Sequence, residues 1–146
     1  MDTADRELAT SRVLDATPAQ AFAAFAAPQR LALWWGPKGF TNTFDQFDLR
    51  PGGAWRFTMH GPDGSDYVNE SRFVEIVPGE RVVFEHLSQH WFEMTIGFEA
   101  QPGGRTRVSW RMVFDSVQHR DQIAEFVIPA NEQNLDRLEA HLRATA

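Results

Sequence analysis

The chain of 146 residues contains no cysteine, which excludes disulfide bonds and thiolate chemistry. It has a single lysine, Lys38, and a formal net charge of −6, and an acidic balance argues against nucleic-acid binding, because neutralising phosphates requires a basic surface. No apolar run approaches the roughly 18 residues of a membrane span, and residues 1–12 lack the features of a signal peptide. We therefore expect one soluble, cytoplasmic domain over residues 1–146 that binds no nucleic acid.

Turn-forming clusters rich in glycine and proline divide the middle of the chain at regular intervals. Between them, apolar and polar residues alternate with a period of two, most clearly in 55–59, 92–99 and 107–114, which predicts antiparallel strands with one buried and one solvated face. The arginines lie among acidic residues and are expected to pair across strands on the solvated face. Four further strands are predicted at 7–15, 43–49, 67–76 and 81–86.

Helical signals occur in two regions. In the first, Thr17 is a typical N-cap residue and Pro18 a typical first helical residue. Pro28 divides the segment into two short helices, the second of which ends at Gly36-Pro37. In the second, residues 117–143 carry an apolar face at helical spacing, and Pro129 predicts a break or kink near residues 125–129.

These elements predict an α+β fold. A sheet of about seven antiparallel strands with one apolar face requires a cover, and the long C-terminal helix is the element large enough to provide it. A curved sheet around one helix leaves a space between them, which the two short helices between the first two strands close at one end.

Polar residues offer weak signals for catalysis or metal binding. His86 and His90 are four residues apart at a strand end, where that spacing does not place both rings together, so we predict no metal site. Ser116 and His119, beside Asp115, are better explained by capping of the last helix than by a catalytic arrangement.

Asn131 and Asn134 lie on or beside the apolar face of the long helix, so they need hydrogen-bond partners or a wet cavity. Two interpretations stay open, bonding to backbone near a kinked helix start or contact with a ligand. His86 is expected to point inward from its strand, and Glu70 would have a raised pKa if it lay in an apolar cavity.

Several stretches together resemble one family. The segments "RVLDATPAQAFAAFAAPQRLALWWGPKGFT", "LRPGGAWRFTMHGPDG", "FVEIVPGERVVFEH", "TRVSWRMVFDS" and "NEQNLDRLEAHL" are similar to the START-like superfamily, in the branch named after the activator of heat-shock-protein-90 ATPase. The resemblance covers nearly the whole chain. It implies a helix-grip fold with an apolar cavity between the sheet and the C-terminal helix.

We therefore predict that the protein binds a small hydrophobic molecule in this cavity and uses no cofactor. The alternatives are a cyclase or dehydratase acting on a polyketide-like or lipid-like substrate through His86, Glu70 and Asn131, and a co-chaperone that regulates an ATPase. The oligomeric state stays open, a homodimer included. The residues predicted to line the cavity are Trp35, Trp55, Phe57, Met59, Asn69, Phe73, Phe84, His86, Phe92, Met94, Trp110, Met112, Val127 and Asn131.

The tandem pair Trp34 and Trp35 precedes the Gly36-Pro37 turn. Neighbouring residues on a helix point about 100° apart, so the two indoles cannot fill the same core position. We expect Trp34, with Leu31, to anchor the second short helix in the core and Trp35 to lie at the cavity mouth.

Overall fold

The computed structural model describes residues 2–145, and the chain forms seven strands and three α-helices, with a short 3-10 helix at Ala4–Arg6 before the first strand. The helices are α1 (Pro18–Ala26), α2 (Pro28–Trp34) and α3 (Val117–Ala144). The strands are β1 (Glu7–Leu14), β2 (Thr41–Phe47), β3 (Ala54–His60), β4 (Asp66–Val77), β5 (Arg81–His86), β6 (Phe92–Gln101) and β7 (Arg105–Phe114).

The strands form one curved sheet in the order β1-β7-β6-β5-β4-β3-β2, and each pair of neighbours is antiparallel. From β2 to β7 the chain is a simple meander. Between β1 and β2 it passes through α1 and α2 to reach the opposite edge of the sheet. This arrangement confirms the expected helix-grip architecture, with two short helices between the first two strands and a long C-terminal helix.

The two faces of the sheet differ in chemistry, as the alternation predicted. The inner face carries fully buried residues such as Trp55, Phe84 and Trp110. The outer face carries cross-strand ion pairs between arginine and glutamate. They include Arg56 with Glu70 at 3.5 Å, Arg72 with Glu85 at 3.1 Å, and Arg81 with Glu75. The arginines therefore pair across strands, and this confirms their expected role.

The early helices begin where the sequence indicates. Thr17 caps α1, because its hydroxyl accepts a hydrogen bond from the Gln20 amide at 3.2 Å while the Gln20 side chain accepts one from the Thr17 amide at 2.8 Å. The indole of Trp34 donates to the Ala24 carbonyl at 3.1 Å, which ties α2 back onto α1. Leu31 and Trp34 are both buried in the core, as predicted.

The long helix differs from its prediction at one point. α3 begins after its N-cap Ser116, whose hydroxyl accepts from the His119 amide at 3.0 Å, and it runs without interruption through Pro129. The predicted break near residues 125–129 is therefore wrong. Pro129 has no N–H, so the carbonyl of Glu125 lacks a helical donor. Glu125 and Pro129 are both exposed, so water can bond to that carbonyl. Across residues 2–145, no helix combines the length and apolar character that a membrane crossing requires.

Candidate functional site

A pocket with a volume of about 610 Å³ lies between the inner face of the sheet and α3. Strands β3 to β7 supply one wall and α3 supplies the other, while the segment from Trp35 to Phe40 closes one side. The volume falls within the range of about 300–1,000 Å³ that is typical of small-molecule sites.

The predicted lining residues lie together, with one exception. The structure places the following around the pocket: Trp35, Trp55, Phe57, Met59, Asn69, Phe84, His86, Phe92, Met94, Trp110, Met112, Val127 and Asn131. Phe73 does not border it. Its ring lies parallel to that of Trp55, with centroids 5.9 Å apart, and is 1% exposed in the core. Phe73 lies beyond the start of β3, where its backbone N–H donates to the Gly53 carbonyl at 2.9 Å, so Trp55 separates it from the pocket.

The two tryptophans have different positions. Trp34 is buried away from the pocket, whereas the indole of Trp35 borders it. Trp35 also packs against Trp55, with ring centroids 5.1 Å apart. Since Trp35 is only 8% exposed, it forms the inner wall of the pocket rather than the rim that was expected.

The backbone around Trp35 is held by side chains from distant elements. Arg137 on α3 donates to the carbonyls of Leu33, Trp35, Gly36 and Pro37, at distances of 2.9 to 3.0 Å. Burial lowers the pKa of Arg137 from its ordinary value. Gly36 has a φ of 98°, a conformation that side chains disfavour. No local sequence pattern indicates this role of Arg137, because its partners are backbone carbonyls roughly 100 residues away.

Asn42 and Asn134 complete the attachment of this segment. The side-chain amide of Asn42 on β2 donates to the carbonyls of Ala32 and Trp35, at 3.0 and 2.9 Å. The amide of Asn134 on α3 donates to the Trp34 carbonyl at 2.9 Å. For Asn134 this supports the interpretation of a backbone partner, although that backbone belongs to α2 and not to the start of its own helix.

His86 supplies a titratable ring in the pocket wall. Its Nδ1 lies 2.7 Å from the His90 carbonyl oxygen and its Nε2 lies 2.8 Å from Oδ1 of Asn69. The imidazole stacks on Phe92, with ring centroids 4.6 Å apart. Burial lowers the pKa of His86, and the hydrogen bond to the His90 carbonyl opposes that shift. His86 therefore points inward as predicted, with both ring nitrogens already in contact with polar atoms.

Three polar side chains of the pocket region are buried without a partner. Among the residues that the structure describes, the hydroxyl of Ser71 and the indole N–H groups of Trp55 and Trp110 form no hydrogen bond. Ser71 is 2% exposed and both indoles are almost completely buried. Ser71 was not among the predicted lining residues, although its alternation with Asn69 on β4 would have indicated it.

Of the three residues of the enzyme alternative, the structure brings His86 and Asn131 to the pocket and leaves Glu70 outside it. Glu70 points to the outer face and pairs with Arg56, so it lies on the opposite side of β4 from the pocket. The amide of Asn131 donates to the sulfur of Met112 at 3.3 Å, a weak acceptor. Near the start of α3, Ser116 acts as a cap and His119 contacts Asp115 at 2.9 Å, which agrees with the capping interpretation.

Two exposed apolar residues that were not among the predicted lining residues border the pocket. Phe126 on α3 is 70% exposed and Val68 on β4 is 67% exposed, and both border the pocket. Lys38 and Glu125 provide charges beside them. Helical spacing on α3 is a signal for this, since Pro129 and Ala130 lie three and four residues after Phe126 and also border the pocket.

The fold and the pocket together define a helix-grip domain of the START-like class. The chain belongs to the family described as activator of Hsp90 ATPase homolog 1-like proteins, whose sequence model matches residues 15–143. This confirms the resemblance seen in the sequence. A comparison with curated proteins found no match.

Solved structures share the whole fold. The crystal structure of protein NE0264 from Nitrosomonas europaea has a TM-score of 0.89 at 21% identity, over 100% of this chain and 99% of that chain. Protein CV1439 from Chromobacterium violaceum has a TM-score of 0.82 at 28% identity, over 92% of this chain and 95% of that one. The AHSA1 protein from Silicibacter pomeroyi has a TM-score of 0.73 at 22% identity, over 96% and 99%.

Proposed function

We propose that this protein binds a small, largely apolar molecule in the pocket between the sheet and α3. The observation that carries the proposal is the open volume of about 610 Å³, which large side chains surround without filling. Because the pocket opens to the surface, water would otherwise contact its apolar walls. A guest that removes this apolar surface from water gains favourable free energy.

The chemistry of the wall supports an apolar guest. Rings such as those of Trp35 and Phe84 offer rigid apolar surfaces, while Met59, Met94 and Met112 have flexible side chains that adapt to irregular shapes. Exposed Phe126 and Val68 beside the opening provide an apolar path from the surface. A lipid-like or polyketide-like compound fits this description.

The two other candidate functions have less support. An enzyme needs an available acid or base, whereas both nitrogens of His86 have contacts and Glu70 lies outside the pocket. A co-chaperone, the activity that the family description suggests, needs an exposed apolar docking surface. The outer face of the sheet instead carries ion pairs such as Arg56 with Glu70 and Arg72 with Glu85.

A fluorescence titration with the neutral probe N-phenylnaphthylamine tests the proposal. The probe should bind the protein with an increase in emission, and Val127→Trp should weaken this binding about tenfold, or by roughly 1.4 kcal/mol, because the indole would occupy the pocket. Ile128→Trp is the matched control, since Ile128 is 51% exposed on the same helix and does not border this pocket. Absence of binding to the unmodified protein, or equal loss in both variants, would contradict the proposal.

A further inference from the structure

We infer that the guest carries an acidic oxygen group, such as a carboxylate, at one end, and that this group lies beside Trp55, Ser71 and His86. These three residues are called the donor row. The inference rests on the proposed function, because it names the chemical class of the ligand for the same pocket. The apolar part of the molecule would extend along the aromatic and methionine walls.

The donor row follows from the register of the sheet. Ser71 on β4 is directly opposite Trp55 on β3 and directly opposite His86 on β5. Side chains that face each other across antiparallel strands have Cβ atoms about 4.5–5.5 Å apart. All three residues border the pocket. They therefore form a short polar strip across three strands in a wall that is otherwise mainly apolar.

Two members of the donor row lack an acceptor. The Trp55 indole N–H and the Ser71 hydroxyl have no hydrogen-bond partner among residues 2–145. An unpaired buried polar group costs about 1–3 kcal/mol. An indole nitrogen can only donate, so a guest that satisfies Trp55 must present an acceptor there. A small adjustment of side chains is needed to admit it, because both polar atoms are covered.

The contacts of His86 indicate a positive charge at the end of the donor row. A chain of contacts runs from the His90 carbonyl through the ring to Asn69, whose Nδ2 donates to the Tyr67 carbonyl at 2.9 Å. Both ends of this chain are acceptors. If the oxygen and nitrogen of the Asn69 amide were exchanged, the amide oxygen would face the Tyr67 carbonyl. Two acceptors form no hydrogen bond, so that contact would be lost. Every contact is a hydrogen bond only if both nitrogens of His86 carry protons, as in the imidazolium ion.

Burial opposes that charge and lowers the pKa of His86, since desolvation favours the neutral ring. His90 lies against His86, and the other titratable groups that border the pocket are Lys38 from the segment after α2, Tyr67 on β4 and Glu125 on α3. Within residues 2–145, the histidines that form ion pairs are His60, with Asp66, and His119, with Asp115, so His86 has no carboxylate partner. An anionic group on the guest would supply the missing negative charge and would complete the donor row.

Proton linkage predicts how the affinity for an acidic guest changes with pH. An adjacent carboxylate favours the charged imidazole, so the pKa of His86 in the complex lies above that in the free protein. Binding then takes up a proton, and the affinity for the acid increases as the pH falls from about 8 towards 6. A neutral guest of the same length should show no such increase.

The experiment compares dodecanoic acid with dodecanol as competitors of bound N-phenylnaphthylamine between pH 6 and 8. Variants His86→Gln and Lys38→Gln distinguish the two cations of the pocket, and His60→Gln is the matched control, since His60 does not border the pocket. In the unmodified protein the acid should displace the probe about tenfold more strongly than the alcohol at pH 6. This preference should disappear in His86→Gln and persist in both other variants.

Each other outcome has a distinct meaning. If the probe binds but acid and alcohol compete equally, the inference is wrong while the proposed function stands. If Lys38→Gln abolishes the preference and His86→Gln retains it, the acid binds at the pocket opening and the donor row has no part in it. If the probe does not bind the unmodified protein, the proposed function and the inference both fail.

Discussion

The indole of Trp35 lies nearly parallel to that of Trp110, with ring centroids 5.4 Å apart and an interplanar angle of 20°. Trp110 belongs to β7, near one edge of the sheet, and Trp35 follows the end of α2. Their contact therefore joins the short helices to the sheet. Because both rings also border the pocket, the same contact shapes the space for a guest.

Replacing each member of the tandem pair by phenylalanine should separate stability from binding. Trp34→Phe removes the hydrogen bond to Ala24 and part of the buried ring, so the free energy of unfolding should fall by about 1–3 kcal/mol with unchanged probe affinity. Trp35→Phe should weaken the binding of N-phenylnaphthylamine, because it changes the pocket wall. Urea unfolding and probe titration measure the two effects. Equal changes in both properties for both variants would mean that Trp35 is only core.

Arg137 should stabilise the protein through the carbonyls that it holds. Arg137→Lys keeps a charge but cannot donate to Leu33, Trp35, Gly36 and Pro37 with one planar group. We expect the free energy of unfolding to fall by about 1–3 kcal/mol, since the carbonyls of Gly36 and Pro37 lose their donor, while that of Trp35 keeps Asn42. Urea denaturation measures this loss.

The control for Arg137→Lys is Arg143→Lys on the same helix. Arg143 is largely exposed and contacts Glu139 at 3.4 Å, an i, i+4 surface pair. Such pairs contribute at most about 0.5 kcal/mol. If the two variants lost equal stability, the contacts of Arg137 with the Trp35 segment would not stabilise the fold.

The stability of the ligand-free protein should depend on His86 in mildly acidic solution. Burial lowers the pKa of His86 below its value of 6.5 in model compounds, so below that pH the unfolded chain binds the proton more readily than the folded one. The contribution of His86 to the free energy of unfolding is therefore complete above pH 6.5 and is lost as the pH falls towards the folded-state pKa. Denaturation at a series of pH values from 5 to 8 measures this slope.

His86→Gln should reduce the slope in the same pH range, because glutamine has no proton to bind. Burial and the nearby Arg30 also lower the pKa of His141, so part of the slope should remain in this variant and should be reduced by His141→Gln. An unchanged slope in His86→Gln would contradict a lowered pKa of His86 in the folded protein.

Much of the architecture could be predicted from local sequence patterns. The alternation in β3, β6 and β7 identifies strands and their buried faces, because successive side chains of a strand point to opposite sides. Thr17 and Ser116 both act as the predicted caps, since capping depends on atoms within a few residues.

On β4 the same patterns were insufficient. Tyr67, Asn69, Ser71 and Phe73 share one face, yet Phe73 is in the core while Asn69 and Ser71 border the pocket. The register with β5 shifts between Phe73 and Glu75. Whether such a residue meets core or open space depends on its neighbours from other strands.

The sequence by itself determined the strands, their buried faces, the two short helices and the family, because these depend on local periodicity and on motifs. Only the tertiary structure decided that α3 continues through Pro129, that Arg137 holds the Trp35 segment, and that Ser71 lies between Trp55 and His86. Those relationships join residues far apart in the chain. Local patterns say which side of an element is buried, but the distance between packed elements decides whether the space there is filled or open.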